Sequence, residues 1–221
     1  MRLYLTCLLA SAALSTSAFA QAPAPEPTTE QIEARAALIV ANAGAGEFFV
    51  AESHAPAVAL RHARSGMLCR FGYAGNGSIT IVPSSSLGIP QGDDVACNQD
   101  TNLGSVTLYA TRYPQNLSAE EVLQGAAAAV RMRFRNAREL DPSALESLAP
   151  PNGAPPPASR TATFMIEDSG RILFTRISVF AANGWLYKLR FTADTPRANV
   201  LADLIWNNLL TDLPAHAAQQ P

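Results

Sequence analysis

Apolar and polar positions change period along this chain, and the changes divide it into segments. Residues 28–43 place Ile32, Ala36, Ile39, Val40 and Ala43 at helical spacing behind a Thr28-x-x-Gln31 capping box, with Gly44 and Gly46 after them, which predicts an amphipathic helix. From residue 47 to 113 the period becomes two and Gly, Asn and Pro separate short apolar runs, so strands are predicted at 47–51, 58–61, 66–71, 78–82, 95–98 and 105–112. In the third, Met67, Cys69 and Phe71 share one face and Leu68 and Arg70 the other, and Asn76-Gly77 marks a tight turn before the fourth. Ser118 caps a second helix, predicted to run to about Ala137, with Glu120 and Glu121 where the helix dipole favours anions and Val122, Leu123, Ala126, Val130 and Phe134 as its buried stripe.

Residues 141–159 hold prolines at 142, 150, 151, 155, 156 and 157. A connection that long without structure of its own reads as a mobile surface loop or a functional flap. The clearest β signal follows: runs at 160–167, 171–181 and 185–192 joined by Asp168-Ser169-Gly170 and Asn183-Gly184, which specify an antiparallel three-strand meander. Thr195 then caps a last helix with Pro196 at its first position, and Val200, Leu201, Leu204, Ile205 and Leu209 are its expected core face. The predicted class is α+β, an antiparallel sheet with packed helices in the order helix, strands, helix, three-strand meander, helix. One domain over residues 28–213 is expected, with a frayed tail at 214–221.

The first twenty residues alter the chemistry of the rest. Arg2, an apolar run to Leu14 and the ending Ala18-Phe19-Ala20 have the three parts of a cleavable signal peptide over residues 1–20. Serines and Thr16 interrupt the run too early for a membrane anchor, which needs about 20 apolar residues. Cys7 stands too close to Arg2 to be a lipid attachment site. Cleavage after Ala20 predicts a mature chain starting at Gln21, with a Pro-rich leader at 21–27 and, since Arg2 is the only charge removed, a formal charge of −3 instead of −2. No basic excess points to nucleic acid, and no later segment is long enough to span a membrane. Lys188 is the chain's one lysine, and with abundant Ala and Pro this composition suggests a GC-rich bacterial genome and hence the periplasm. Removal of Cys7 leaves Cys69 and Cys97, an even pair in an exported protein, expected as a disulfide.

The stretch GWLYKLRFTADTP at 184–196 resembles the closing strand and helix of the PsbP/Mog1-like proteins, and NLSAEEVL at 116–123 resembles the start of their central helix. The likeness is one of topology over residues 28–213, and it implies binding and assembly more than catalysis. The segments SGMLCRF, GDDVAC and TLYATRY also resemble exported proteins of Gram-negative bacteria, a likeness that carries no activity.

Candidate chemistry is sparse. His54 and His62 flank a strand, but Pro56 breaks the alternation between them and no third ligand at suitable spacing supports a metal. His216 falls in the tail. Asp93, Asp94, Asn98, Asp100 and Asn102 crowd one segment, yet their order does not fit a calcium loop, so a solvated turn beside the disulfide is expected. Arg131, Arg135 and Arg138 fall on one face of the second helix as predicted, either solvated or docking an anionic partner or lipid headgroup. Trp185, Tyr187 and Phe191 alternate on one strand face beside Phe174 and Phe180, as core or as an apolar groove for a lipid or peptide that the Pro-rich loop would cover. The motifs G-x-S-x-G, S-x-x-K and H-E-x-x-H are missing, and Gly72-x-x-Gly75-x-Gly77 does not lead from a strand into a helix. The expected function is a non-catalytic periplasmic module that binds a protein or apolar ligand without a cofactor. The alternative is a periplasmic hydrolase with a site near His54, His62, Asp93 and Asp94.

Overall fold

A computed structural model describes residues 26–52, 56–149 and 159–213. The predicted signal peptide, most of the predicted leader, His54, the centre of the Pro-rich segment and the tail with His216 lie outside the described residues. The class is α+β, and the described residues form three α-helices and two antiparallel sheets where a single sheet was expected. Helix α1 (Thr29–Asn42) begins at the capping box, Thr28 and Gln31 each satisfying the other's backbone N–H, and buries Ile32, Ala36 and Ile39. Strands β1 (Phe49–Ala51), β2 (Ala57–His62) and β3 (Leu68–Gly72) form a small sheet in that order.

The large sheet contains β4 (Ser78–Ile81), β5 (Asp94–Thr101), β6 (Gly104–Thr111), β7 (Arg138–Leu140), β8 (Arg160–Asp168), β9 (Arg171–Ala182) and β10 (Trp185–Ala193), in the order β4-β5-β6-β10-β9-β8-β7. The meander folds as the turns dictate. Ser169 and Gly170, and Asn183 and Gly184, all have φ between 51° and 78°, the mirror-image turn geometry that matches the twist of a two-residue hairpin. Its last strand then pairs back to β6, so the N-terminal and C-terminal strands close one continuous sheet.

Alternation gives the large sheet two apolar faces. One buries Val95, Leu108, Phe174, Tyr187 and Phe191 beneath α1, the small sheet and the last helix. The other buries Phe164, Ile166, Ile177 and Val179 against Leu123, Ala127 and Val130 of α2 (Ala119–Arg133). The Cys69–Cys97 disulfide, with a Cα–Cα distance of 5.9 Å, ties β3 of the small sheet to β5 of the large one. In the chain-entropy account a loop of this length contributes roughly 3.5 kcal/mol.

Four expectations are corrected. Helix α2 stops at Arg133, because Phe134 turns extended (φ −118°, ψ 95°) and drops its ring into the α2 cluster. Arg138, expected on the face of that helix, instead begins the edge strand β7 (138–140), too short to leave a periodic signal. Asn76-Gly77 is not a mirror-image turn: what Gly77 supplies is room, since a Cβ there would stand 2.3 Å from the Phe71 ring. In α3 (Asn199–Asp212) the buried face is Ala202, Trp206 and Leu209 with the polar Asn199, Asp203 and Asn207, whereas Leu204 is 45% exposed.

That rotation of α3 follows from a buried polar network. Arg176 of β9 donates to Ser178 Oγ (2.9 Å), Asn199 Oδ1 (2.9 Å) and the Asp203 carboxylate. Asn199 Nδ2 in turn donates to the Glu146 carbonyl, and Asp203 accepts from the Leu148 backbone N–H at 2.9 Å. On the far side of the Pro-rich segment, Trp206 Nε1 donates to Ser159 Oγ. A buried arginine demands these partners, so the polar residues of α3 face inward and part of its apolar surface faces out. The described flanks of the Pro-rich segment are therefore docked on α3.

Candidate functional site

The small sheet, β5, β6 and α3 enclose a cleft of about 250 Å³. Its floor and walls are apolar: Leu68 and Phe71 of β3, Cys97 of β5, Leu108 of β6, and Leu201 and Ile205 of α3. The pleat of β3 puts Cys69 and Phe71 inward, next to the buried Met67 that precedes the strand, and Leu68, on the opposite face, stays buried while lining the cleft. At the rim, Arg70 grips Asp212 through two hydrogen bonds of 2.9 and 2.8 Å. Arg61 donates to the Asp212 carbonyl and to the Gly66 carbonyl, and hydrogen-bonds Glu52 at 2.6 Å. These contacts fasten the end of α3 to the small sheet, while the disulfide fastens that sheet to β5. The cleft is thus framed by fixed elements on three sides. Gln99, Thr101 and Asn208 add neutral polar groups at its edge.

Size limits what the cleft accepts. It exceeds the cavity of about 150 Å³ that takes a benzene ring, and falls short of the roughly 300–1,000 Å³ that encloses a drug-sized ligand. One or two apolar side chains, or the end of an acyl chain, match it.

The sequence-predicted residues are placed as follows. Trp185, Tyr187 and Phe191 are buried, with Tyr187 stacked on Phe180 at 6.2 Å and its hydroxyl donating to the Ser65 carbonyl at 2.6 Å. Burial pushes the Tyr187 phenol up. Among the described residues these rings are buried rather than lining a groove, because α3 and the small sheet pack over them. The open cleft lies beside them, over β5 and β6.

Arg131, Arg135 and Arg138 do not form one face. Arg131 ion-pairs with Glu139 and lies over the Phe164 ring, Arg135 is in the turn after α2, and Arg138 begins β7. The acidic segment is not a solvated turn either, since Asp94–Thr101 is strand β5. Asp93 is buried between Arg64 and Arg112, at 2.9 and 2.6 Å. Burial would raise its carboxyl, but hydrogen bonds and charge from Arg112 and Arg64 outweigh that and hold it below the usual carboxylate range. Asp94 accepts from Ser84 and Thr111, and Asp100 from Ser105.

His62 is fully buried. Its Nδ1 is 2.8 Å from Ser65 Oγ and also accepts the Ser65 N–H, while its ring meets Trp185 edge-on. Nε2 has no hydrogen-bond partner among the described residues. Burial pushes the imidazole down to about 4, helped by the charge of Arg64 and opposed by the Gly92 backbone and Asp93. The Ser65 hydroxyl accepts the Met67 N–H, so this serine and histidine close the β2–β3 turn. His62 makes no hydrogen bond to Asp93 or Asp94, and neither carboxylate shares the cleft.

A comparison of the chain with protein-family models and with curated proteins finds no match. The cleft residues were not picked out in the sequence, where Leu68 reads as an outward strand position and Leu201 and Ile205 as core. One signal was present: apolar residues occur nearly all round the last helix, more than one buried face requires.

Proposed function

We propose that this protein is an exported, non-catalytic binding module of the cell envelope, and that the α3 cleft receives apolar anchor side chains of a partner polypeptide. The cleft carries the reading: an apolar pocket with a polar rim, sized for a side chain or two and held open by a disulfide and a bidentate ion pair, has the anatomy of an interface hot spot. Leu204, exposed next to it on α3, extends the apolar surface outward. The signal-like N-terminus, the surviving cysteine pair and the likeness of the 116–123 and 184–196 segments to PsbP/Mog1-like proteins support export and an assembly role.

A photo-crosslinking residue placed at Asn208, on the rim, tests this in intact cells, with Met132 on the exposed side of α2 as control. The expected result is a discrete polypeptide adduct from position 208 alone, abolished by Ile205→Trp, which fills the cleft. Absence of an adduct, or an adduct whose mass is that of a lipid, would overturn the polypeptide assignment.

A further inference from the structure

The face of the large sheet that carries α2 is only partly covered, because the helix lies over β8 and β9 while β10 and β6 continue beyond it. Lys188 and Arg190 project on this face, since Tyr187, Leu189 and Phe191 occupy the core side of the same strand. Arg133 reaches them from the last position of α2. The three cations line one cleft of about 300 Å³, together with Tyr109 of β6 and an apolar wall that includes Ala126, Val130 and Ile177. A second cleft of about 320 Å³ shares Tyr109, Arg133 and Arg190 with it.

Eight arginines among the described residues are matched to carboxylates. The three cations of this cleft are not. None of them makes an ion pair or side-chain hydrogen bond among the described residues. Two of them contact ring faces, Lys188 Nζ 4.1 Å from the Tyr109 centroid and Arg133 over Phe134, contacts that leave N–H donors free. Burial and the charge of Arg190 lower the Lys188 ammonium against the pull of Asp94. Asp94 is already committed to Ser84 and Thr111, and Asp168 lines only the second cleft. Three like charges gathered in a partly desolvated place cost free energy that a bound anion would return, and three charges suit a dianion better than a monoanion.

We infer that this cleft is a second binding site, for a phosphate monoester carried on an apolar body: the phosphate is held by Lys188, Arg190 and Arg133, and the body lies against Ala126, Val130 and Ile177. The site is on the face opposite the α3 cleft, so neither assignment depends on the other.

Lys188 is the chain's one lysine, which makes the site directly readable. Reductive ¹³C-methylation of the whole mature protein labels Lys188 and the terminal amine, and NMR titration follows the Lys188 signal. Hexyl phosphate should shift it saturably, with inorganic phosphate, hexanoate and hexanol each at least tenfold weaker. By calorimetry on unlabelled protein, Arg190→Gln and Arg133→Gln should each raise the Kd for hexyl phosphate about tenfold, whereas Arg138→Gln, exposed on β7, should leave it unchanged. Vesicles containing phosphatidic acid that compete with hexyl phosphate would mark a lipid headgroup as the source; no competition would mark a free phosphate monoester. An unmoved Lys188 signal, equal binding of hexanoate, or equal loss in Arg138→Gln would overturn the inference.

Discussion

Asp203→Ala should be the most damaging single truncation in α3. The Asp203 carboxylate and the Arg176 guanidinium are both nearly buried, at 12% and 7% side-chain exposure, and meet across the interface between α3 and β9. Truncation leaves Arg176 with Asn199 and Ser178 as neutral acceptors and strips the Leu148 N–H of its partner. Removing one member of a buried pair costs about 3–5 kcal/mol, since the remaining charge keeps its desolvation penalty without compensation. For a chain of this size each kcal/mol lowers Tm by about 2–4 °C, so a fall of roughly 10 °C is expected. Replacing both members by apolar residues of similar volume removes the uncompensated charge as well, so Arg176→Met with Asp203→Leu should recover most of the loss. Urea unfolding should show the lowered midpoint with an unchanged slope. Because Glu146 and Leu148 hang on the same residues, limited proteolysis should cut the Pro-rich segment faster in Asp203→Ala. A loss under about 1 kcal/mol, or a double variant as unstable as the single one, would refute the reasoning.

Further outcomes follow from the N-terminus, the disulfide and a buried histidine. The mature protein should begin at Gln21 by intact mass and show no free thiol without reductant, and Cys97→Ser should destabilise it by up to roughly 3.5 kcal/mol. His62, pushed down to about 4, binds its proton less readily folded than unfolded, so its stabilisation is complete above about pH 6.5 and is lost as pH falls towards 4. The difference is about 2–3 kcal/mol over that window, and His62→Phe should flatten this part of the stability profile by urea titration; an unchanged slope would sink the assignment.

Capping box, meander and disulfide were legible because each rests on local chemistry. Thr28 with Gln31 and Asn183 with Gly184 act on backbone within a few residues, and the strand period of 185–192 states which side chains go in without any knowledge of what covers them. The cysteine pair needed only a compartment and a count. The limits of legibility lie where a neighbour remote in sequence decides. Phe134 ends α2 because a pocket on β8 and β9 takes its ring, which undoes the expected arginine face. Arg176 turns α3 inward on its polar side, so Leu201 and Ile205 become cleft walls, and α3 in turn buries the aromatics of β10 that read as a groove. Arg133 lies more than fifty residues from Lys188 and Arg190, and the three carry no motif; only the packing of α2 beside β10 gathers them. Period and turn chemistry determined the elements and their inward faces, since those depend on the chain's own geometry. The tertiary structure alone decided where space and unpaired charge remain, since that depends on which faces meet.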